Sequence, residues 1–352
     1  MKGLILSGGF GTRLRPLTYS QQKQLIPVAN KPILFYGIED LIEAGIHDIG
    51  IIVGPNKEQV KETVGNTSWD ADISFIEQDY PRGIAHTIKI ARDFIGDNPF
   101  IMYLGDNILK EGVVEHVNDF LHSDCQGSIL LTRVPNPQEF GVARLDAHNN
   151  IIEIIEKPKN PPTDYAVIGV YLFRQKIFQA VDEITYSHRN QLEITDAIQW
   201  LINHGFKVKS ALVRDWWKDT GKPEDILHAN RLVLDMIESK NLGKSDGADI
   251  RGRVQINEET FIDEKCTIKG PVIIGKNCKL SESYIGPYTS IGDNCEIVGT
   301  EIEDSVIMDN VSISHGERIV DSLIGRGVKI FKKNDLPNGK RFIIGDNSEV
   351  CI

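Results

Sequence analysis

The chain has 352 residues, of which 41% are hydrophobic and 25% are charged, as in ordinary folded globular proteins. Its formal net charge of −11 argues against binding to nucleic acids or to acidic membranes, because such binding requires a positive surface. No apolar run reaches the roughly 18 residues of a membrane span, and the apolar start is too short for a signal peptide, so we expect a cytoplasmic protein with no membrane partner.

The first 240 residues alternate short runs of Ile, Val and Leu with longer stretches of helical periodicity. The short runs predict strands that are mostly buried on both faces, at residues 3–6, 49–53, 100–104, 128–131 and 167–173. Residues 31–44 open with a Lys-Pro pair and stop at Gly45, which predicts a helix with a glycine cap. The alternation predicts a Rossmann-like α/β domain with a mostly parallel sheet and helices on both faces.

A glycine-rich turn follows the first predicted strand and has the sequence GGFGTRLRP over residues 8–16. Glycines let backbone N–H groups approach phosphate oxygens closely, and two arginines stand beside them. The turn is neither a Walker A loop nor a dinucleotide fingerprint, because the Lys-Ser/Thr pair and the third glycine are absent. A phosphate-binding turn and an ordinary glycine turn with surface arginines therefore both remain open.

Two aspartates are candidates for a magnesium site because each lies at the end of an apolar segment. Asp106 lies in YLGDN at residues 103–107, and Asp219 lies in WKDTG at residues 217–221. In open α/β sheets ligands bind at the carboxyl ends of strands, and carboxylate oxygens suit Mg²⁺, although ordinary turn aspartates are common. Lys23 lies beside the glycine turn, although a single lysine near a loop is usually solvated. In the pair Glu156-Lys157, the lysine could hold a phosphate and the glutamate a sugar hydroxyl. In isolation, that pair is more typical of a charged strand end.

The composition changes at residues 241–249, which are polar and contain glycine, so we predict two domains, 1–240 and 250–352. Beyond this segment, aliphatic residues recur every five or six positions, mostly preceded by a small or β-branched residue two positions earlier. This spacing is the hexapeptide signature of a parallel β-helix with about four to five coils. The recurring aliphatic positions are Ile256, Ile262, Ile268, Ile274, Leu280, Ile285, Ile291, Ile297, Ile302, Ile307, Ile313, Ile319, Ile324 and Ile330.

The predicted β-helix accounts for three of the five cysteines, because Cys266, Cys278 and Cys295 occupy its small positions. No CxxC pair exists, so neither a zinc site nor a disulfide framework is expected. The two open ends of such a stack favour a homo-oligomer, although the stack could also serve stability or carry an acyltransferase site. An acyltransferase would need a catalytic histidine; His315 is the only histidine of this region, and we expect it to be a solvated turn residue.

Six motifs occur in a fixed order, namely the glycine-rich turn, KQLIP at 23–27, LGDN at 104–107, EKP at 156–158, LEITD at 192–196 and WKDTG at 217–221. In this order they resemble the sugar-1-phosphate nucleotidylyltransferases. With the β-helix, the whole chain resembles the long thymidylyltransferase branch of that family. The resemblance implies a nucleotidyltransferase domain followed by a left-handed parallel β-helix. It also implies Mg²⁺-dependent transfer from dTTP to glucose 1-phosphate, giving dTDP-glucose and pyrophosphate.

The resemblance implies roles for individual residues as well. The implied catalytic residues are Arg13, Lys23, Asp106, Lys157 and Asp219, of which Asp106 and Asp219 hold the metal. The implied nucleotide-binding residues are Leu6, Gly8, Gly9, Gly11, Thr12, Arg13, Gln78, Gly83 and Asp106. The implied residues for the sugar phosphate are Gly141, Glu156, Lys157, Val167, Tyr171 and Arg189.

The chain departs from the family pattern at two places. Gln22 precedes Lys23 where Ser is usual, and Ile84 stands near the implied base edge where Leu or Thr is usual. These departures bear on the choice of base more than on catalysis, so a UTP-dependent uridylyltransferase remains an alternative. A bifunctional nucleotidylyltransferase/acetyltransferase is a second alternative, because the β-helix could carry an acyltransferase site. A regulatory subunit without activity would have damaged charge positions, whereas the five implied catalytic residues are intact.

Overall fold

The structure is a computed structural model that describes residues 1–314 and 316–332. It divides into two compact units, of which the first spans Met1–Val233 and the second begins at Leu234. His315, the candidate acyltransferase histidine, and Cys351 lie outside the described residues. Within the described ranges, no helix is long and apolar enough to cross a membrane.

The first unit is built on a nine-stranded sheet. The strands of this unit are β1 (Lys2–Ser7), β2 (Pro27–Val28), β3 (Lys31–Pro32), β4 (Asp48–Val53), β5 (Asp72–Glu77), β6 (Phe100–Leu104), β7 (Asn107–Leu109), β8 (Gly127–Arg133), β9 (Gly141–Leu145), β10 (Ile151–Glu156), β11 (Tyr165–Phe173), β12 (Val208–Leu212) and β13 (Trp217–Asp219). The sheet order is β10-β9-β11-β6-β1-β4-β5, and β8 pairs with β11 and β12. Strands β6, β1, β4 and β5 are parallel, as predicted, whereas β11 runs antiparallel to β6.

The helices of this unit are α1 (Ile33–Glu43), α2 (Lys57–Gly65), α3 (Ile84–Ile90), α4 (Arg92–Ile95), α5 (Val114–Leu121), α6 (Lys176–Glu183), α7 (Ile194–Asn203) and α8 (Pro223–Leu234). Short 3-10 turns lie at Thr12–Leu14, Leu17–Tyr19, Lys23–Leu25 and Pro137–Glu139. Helix α1 ends before Gly45, which has a φ of 74°, as predicted. The helix begins at Ile33 rather than Lys31, because Lys31 and Pro32 form β3 and pair with β2.

Both faces of the sheet are covered, as the alternation of strands and helices predicts. In β1, Leu4 and Leu6 belong to one hydrophobic cluster, whereas Ile5 between them belongs to a second cluster. In β6, Met102 and Tyr103 divide between the same two clusters. Successive side chains of a strand point to opposite faces, so each central strand contributes to two layers of core.

The second unit is a stack of short parallel strands on three faces. The first face consists of β14 (Lys240–Asn241), β16 (Val254–Ile256), β19 (Val272–Ile274), β22 (Thr289–Ile291), β25 (Val306–Ile307) and β28 (Leu323–Ile324). The second face consists of β15 (Asp249–Arg251), β18 (Thr267–Lys269), β21 (Tyr284–Ile285), β24 (Glu301–Glu303) and β27 (Arg318–Val320). The third face consists of β17 (Phe261–Ile262), β20 (Lys279–Ser281), β23 (Glu296–Val298), β26 (Ser312–Ser314) and β29 (Lys329–Phe331). This is the predicted left-handed parallel β-helix. Residues 241–249 already contribute to its strands β14 and β15.

The predicted aliphatic positions stack in register inside this β-helix. On the first face the stacked residues are Ile256, Ile274, Ile291, Ile307 and Ile324. The positions two residues earlier are mostly buried, as at Val254, but Val328 near the last described coil is 37% exposed. Cys266, Cys278 and Cys295 are buried free thiols in the same core, as predicted.

Asparagines form several corners of the coils. Asn277, Asn294 and Asn310 have φ values of 52°, 57° and 60°, in the left-handed region that Asn tolerates better than most residues. The Nδ2 group of Asn277 donates a hydrogen bond to Oδ1 of Asn294 in the next coil at 2.9 Å. The corners are therefore connected from coil to coil by side chains as well as by the strand ladders.

Candidate active site

Two adjoining cavities open in the first unit. The smaller has a volume of about 260 Å³ and the larger about 680 Å³. Leu104 and Asp106, at the carboxyl end of the central strand β6, line both cavities. This is the edge of a parallel sheet at which ligands bind in open α/β folds, as the sequence predicts.

The glycine-rich turn follows β1 directly and is held by Gln22. The Nε2 group of Gln22 donates hydrogen bonds to the carbonyl oxygens of Ser7 at 2.8 Å and Gly9 at 3.0 Å. Gly11 has a φ of 60°, and a Cβ atom there would lie 2.9 Å from Cβ of Lys23. Only glycine fits this position, so the turn packs closely against the segment that carries the predicted catalytic lysine.

Lys23 and Asp106 form an ion pair, and their side chains are only 13% and 15% exposed. Asn107 adds a hydrogen bond from its Nδ2 to Oδ1 of Asp106 at 2.9 Å, and its own Oδ1 accepts one from Nε1 of Trp217 at 2.6 Å. Burial raises the pKa of Asp106, but Lys23 and Asn107 outweigh it and hold the pKa below its ordinary value. Asp106 is therefore ionised at neutral pH.

Asp219 reaches the same place because β13 pairs with β7, which sets Asp219 opposite Asn107. Thr220 fixes the contact, since its N–H and its hydroxyl donate to the carbonyl oxygen of Asp106 at 3.0 and 2.7 Å. Both carboxylates line the larger cavity. Burial, followed by repulsion from Asp106, raises the pKa of Asp219 to about 6.

Two cations line the larger cavity without a carboxylate partner in the described part of the chain, namely Arg13 and Lys157. A Cβ atom on Gly221 would lie 2.7 Å from Nη2 of Arg13 and 3.1 Å from Oδ2 of Asp219, so both groups lie beside this glycine. Lys157 has a φ of 43°, and a left-handed conformation at a non-glycine residue costs roughly 1–3 kcal/mol. Strain of this kind is typical of functional sites, where the fold holds a side chain in one position.

The residues at the cavity fit a magnesium ion that is shared with phosphates. The described residues contain no group of three His, Cys, Asp or Glu side chains that could hold a metal by themselves. Mg²⁺ commonly uses one or two carboxylates together with waters and substrate phosphates, which matches Asp106 and Asp219. The raised pKa of Asp219 reflects the repulsion within a partly buried carboxylate pair, which a dication would relieve. The metal itself remains a prediction.

The residues predicted to bind the sugar phosphate all line the larger cavity, namely Gly141, Glu156, Lys157, Val167, Tyr171 and Arg189. Arg189 is engaged there, because its guanidinium lies 2.9 Å from Oε1 of Glu156 and 3.4 Å from Oε1 of Glu193. Its implied contact with a phosphate therefore remains a prediction. Burial raises the pKa of Tyr171, so its phenol stays protonated and can donate a hydrogen bond.

Most of the predicted nucleotide-binding residues line the smaller cavity, namely Leu6, Gly8, Gly9, Gln78, Gly83 and Asp106. Gly83 has a φ of 107°, and a Cβ atom there would lie 2.3 Å from the carbonyl oxygen of Leu192, so only glycine fits before α3. Gln78 is 6% exposed, and its Nε2 lies 3.0 Å from Nδ1 of His86. The smaller cavity thus combines apolar walls with a carboxamide group.

Two predicted residues, Gly11 and Thr12, lie in the glycine-rich turn and line neither of the two cavities. Sequence reasoning missed Asn107 and Gln22, which hold Asp106 and the turn in place. Asn107 stands inside the LGDN motif, so the motif could have pointed to it. Gln22 was noted only as a departure from the family pattern, because its partners are backbone groups that only the fold brings near.

The chain is similar to several known proteins. The family described as nucleotidyl transferase has a model that matches residues 2–236. The chain is 48% identical over 357 residues to the low-salt glycan biosynthesis nucleotidyltransferase Agl11 of Haloferax volcanii, with both chains fully covered. It is 44% identical over 354 residues to a glucose-1-phosphate thymidylyltransferase of Streptomyces griseus, covering 100% of this chain and 99% of that protein.

A solved structure has the same fold over the first unit. It is a Bacillus anthracis protein assigned as a glucose-1-phosphate thymidylyltransferase and solved in complex with a sucrose. The TM-score is 0.63 at 35% sequence identity, and the match covers 68% of this chain and 98% of that chain.

Proposed function

This chain belongs to the nucleotidyl transferase family, and from that premise we propose that it transfers the thymidylyl group of dTTP to glucose 1-phosphate. The products of the reaction are dTDP-glucose and pyrophosphate. That the chain is a sugar-1-phosphate nucleotidyltransferase follows from its family and its full-length relatives. The choice of thymidine and glucose is the proposed part, and the full-length identity of 44% to the Streptomyces griseus enzyme supports it.

The two cavities suggest where each substrate lies. The smaller cavity, with Gln78 and Gly83, takes the base, and the larger cavity, with Glu156 and Lys157, takes the sugar phosphate. Asp106 lines both cavities, so the phosphate groups of the two substrates meet beside it. Holding two reactants in line in this way removes much of the entropic cost of a bimolecular reaction.

The reaction joins two anions. An oxygen of the sugar phosphate attacks the α-phosphorus of dTTP while the bond to the departing pyrophosphate breaks. Arg13 and Lys157 face the cavity without carboxylate partners among the described residues, so their charges are available to phosphate oxygens. Lys23 stands beside Asp106 and can turn to the α-phosphate. These cations lower the repulsion and stabilise the charge that builds up in the transition state.

Asp106 and Asp219 are the residues that would hold a magnesium ion. When bound, Mg²⁺ supplies positive charge to the phosphate oxygens of both substrates. In the protein alone, Lys23 pairs with Asp106, and Lys23 and Arg13 both act to lower the pKa of Asp219. One observation carries the proposal, namely that Asp106 and Asp219 line one cavity of about 680 Å³ together with Arg13 and Lys157, for which the described residues supply no carboxylate partner.

A pyrophosphate-release assay tests the proposal. Purified protein is mixed with dTTP, UTP, dCTP or GTP and with glucose 1-phosphate or other sugar 1-phosphates, with and without Mg²⁺. We expect the highest kcat/KM for dTTP with glucose 1-phosphate, and no turnover without a divalent cation. A methyl group in an apolar pocket is worth about 1–3 kcal/mol, so UTP should remain a weaker substrate. A preference for UTP, or the absence of turnover with every pair, would refute the proposal.

A further inference from the structure

We propose that His86 is a positioning residue that fixes the orientation of the Gln78 carboxamide and so selects nucleobases with a ring N–H, such as thymine and uracil. This inference rests on the proposed function, because it concerns how the smaller cavity recognises its base. Nothing in the family motifs includes His86, which lies three residues after the glycine that precedes α3.

The geometry around Gln78 leaves its side chain few choices. Its backbone N–H donates to the carbonyl oxygen of Val53 at 2.8 Å, which fixes the residue directly after β5. Its carboxamide is 6% exposed and lies 3.0 Å from Nδ1 of His86, which is 9% exposed on α3. A carboxamide has a donor end and an acceptor end, and one of them must face the imidazole.

The donor end of the carboxamide faces the imidazole. A neutral histidine has one nitrogen that donates and one that accepts. In the structure the Nε2 group of Gln78 faces Nδ1 of His86, so Nδ1 accepts and the proton lies on Nε2 of the imidazole. Burial, together with Arg82 and Lys89, lowers the pKa of His86, and Asp79 opposes them only partly. The ring is therefore neutral at physiological pH, and its Nδ1 is free to accept.

The side-chain oxygen Oε1 of Gln78 is then available to accept a hydrogen bond from the ligand. Oε1 lies 3.1 Å from the point at which a Cβ atom on Gly8 would stand, on the wall of the smaller cavity. No donor from the described residues reaches this oxygen. Thymine and uracil carry a hydrogen on ring atom N3 that an acceptor can bind. Cytosine carries a lone pair on N3, so the same acceptor would oppose it.

The orientation of the Gln78 carboxamide thus determines whether the cavity favours thymine and uracil or favours cytosine. If the carboxamide rotated by a half turn, its amino group would face the cavity and would suit cytosine instead. A buried polar group that is left without a partner weakens binding, and we expect a discrimination of roughly tenfold between the two kinds of base. The imidazole supplies this discrimination without touching the base, which is why it acts as a positioning residue.

The test compares His86→Leu and His86→Asn with the wild type in the pyrophosphate-release assay, using dTTP and dCTP. We expect His86→Leu to lower the ratio of kcat/KM for dTTP over dCTP about tenfold, through KM rather than kcat. His86→Asn keeps an acceptor near the position of Nδ1, so it should retain part of the ratio. Ile88→Ala, a fully buried change on the same helix, is the matched control and should lower stability without changing the ratio.

The outcomes separate this inference from the proposed function. If the wild type releases no pyrophosphate with any nucleotide, the proposed function fails and the inference fails with it. If the wild type prefers dTTP and His86→Leu keeps the full preference, the inference alone is overturned. Nitrogen NMR of the wild-type imidazole gives a readout that does not depend on a variant folding. A proton on Nε2 of His86 is expected, and a proton on Nδ1 would overturn the inference.

Discussion

The cavity of the first unit and the β-helix contain different kinds of polar group. In the β-helix, Asn277 binds Asn294 of the next coil, and Thr260 donates to the carbonyl oxygen of Gly275 at 2.7 Å. Around the cavity, Arg13 and Lys157 have no carboxylate partner among the described residues, and Asp219 lies beside a second carboxylate. The buried polar side chains of the β-helix are neutral among the described residues, and one of them, the hydroxyl of Thr289, has no hydrogen-bond partner there. The cavity instead carries charges that a ligand can balance.

This difference indicates which parts of the chain serve stability and which serve chemistry. Local choices in a stable element agree with the fold, and conflicts gather where function requires them. The raised pKa of Asp219 is one such conflict, and it lies at the larger cavity. Substitutions in the two regions should therefore have separable effects, on turnover in one case and on unfolding in the other.

The largest expected effect is on turnover at Asp106. Asp106→Asn keeps the shape of the side chain but removes the charge that balances Lys23 and would hold the metal. We expect kcat to fall by about 10²–10³, the usual cost of losing one group that stabilises transition-state charge, without unfolding of the protein. Pyrophosphate release measures the loss, and circular dichroism checks the fold. Asp70→Asn, whose side chain is 90% exposed, is the matched control. Near-normal turnover of Asp106→Asn would contradict the metal assignment.

The next effect is on unfolding in the β-helix. Ile291 is fully buried and stacks between Ile274 and Ile307 in neighbouring coils. Truncation of such a residue leaves a cavity, so Ile291→Ala should lower the free energy of unfolding by about 2–5 kcal/mol. Turnover of the folded protein should not change. Urea unfolding measures the first quantity, and Val320→Ala, at a position that is 47% exposed, is the control. A parallel loss of kcat at a temperature where the variant is folded would break the comparison.

A smaller effect on turnover is expected at Arg13. Arg13→Ala removes one of several cations at the cavity, and the remaining cations still face the phosphates. We expect a loss in kcat of about tenfold or more, with the urea midpoint unchanged. Arg15→Ala is the matched control, because Arg15 stacks on the ring of Tyr19 at 4.8 Å and does not line the larger cavity. Equal losses in the two variants would show that the effect is not specific to the cavity.

The smallest effect concerns a partly buried carboxyl that the proposed reaction does not use. Burial raises the pKa of Asp40 to about 7, with added repulsion from Glu43 and Glu39, although the hydroxyl of Tyr103 donates to it at 2.8 Å. The folded protein therefore holds this proton more tightly than the unfolded chain between the ordinary carboxyl pKa of 3.8 and about 7. Stability falls as the pH rises through this window, because the unfolded chain releases this proton while the folded protein keeps it.

Asp40→Asn cannot ionise and should lose less stability than the wild type as the pH rises from 5 to 8. We expect the two unfolding free energies to diverge by on the order of 2 kcal/mol across this range. Urea midpoints at the two pH values measure the difference. Glu62→Gln, an exposed change on α2, is the control for removal of a charge. Parallel pH curves for Asp40→Asn and the wild type would contradict the assigned pKa.

The sequence predicted the β-helix and the main parallel strands because their signals are local. The isoleucine repeat is visible in the sequence, and strands such as β4 are continuous apolar runs. The antiparallel placement of β11 was not predicted, because the direction of a strand in a sheet does not depend on its own pattern. The start of α1 was predicted two residues early, since the pair Lys31-Pro32 is typical of a helix start but is used here in β3.

In the candidate site, too, local signals could be predicted and contacts between distant residues could not. Asp106 and Asp219 could be predicted because each belongs to a recognisable motif at the end of an apolar segment. The hydrogen bond from Trp217 to Asn107, which joins residues 110 positions apart, could not be read from either motif alone. His86 carried no signal at all, because its importance depends on which atom of Gln78 it meets.

The in-register stacking of the isoleucines also has a consequence for how this protein can change in length. Each coil presents the same backbone ladder above and below, so a whole coil could be duplicated or removed while both new junctions kept the old geometry. The sheet of the first unit has no such freedom, since β11 lies between β6 and β8 and every neighbour is distinct. Natural variation in chain length should therefore come in coil-sized steps, within the repeats rather than within the catalytic sheet.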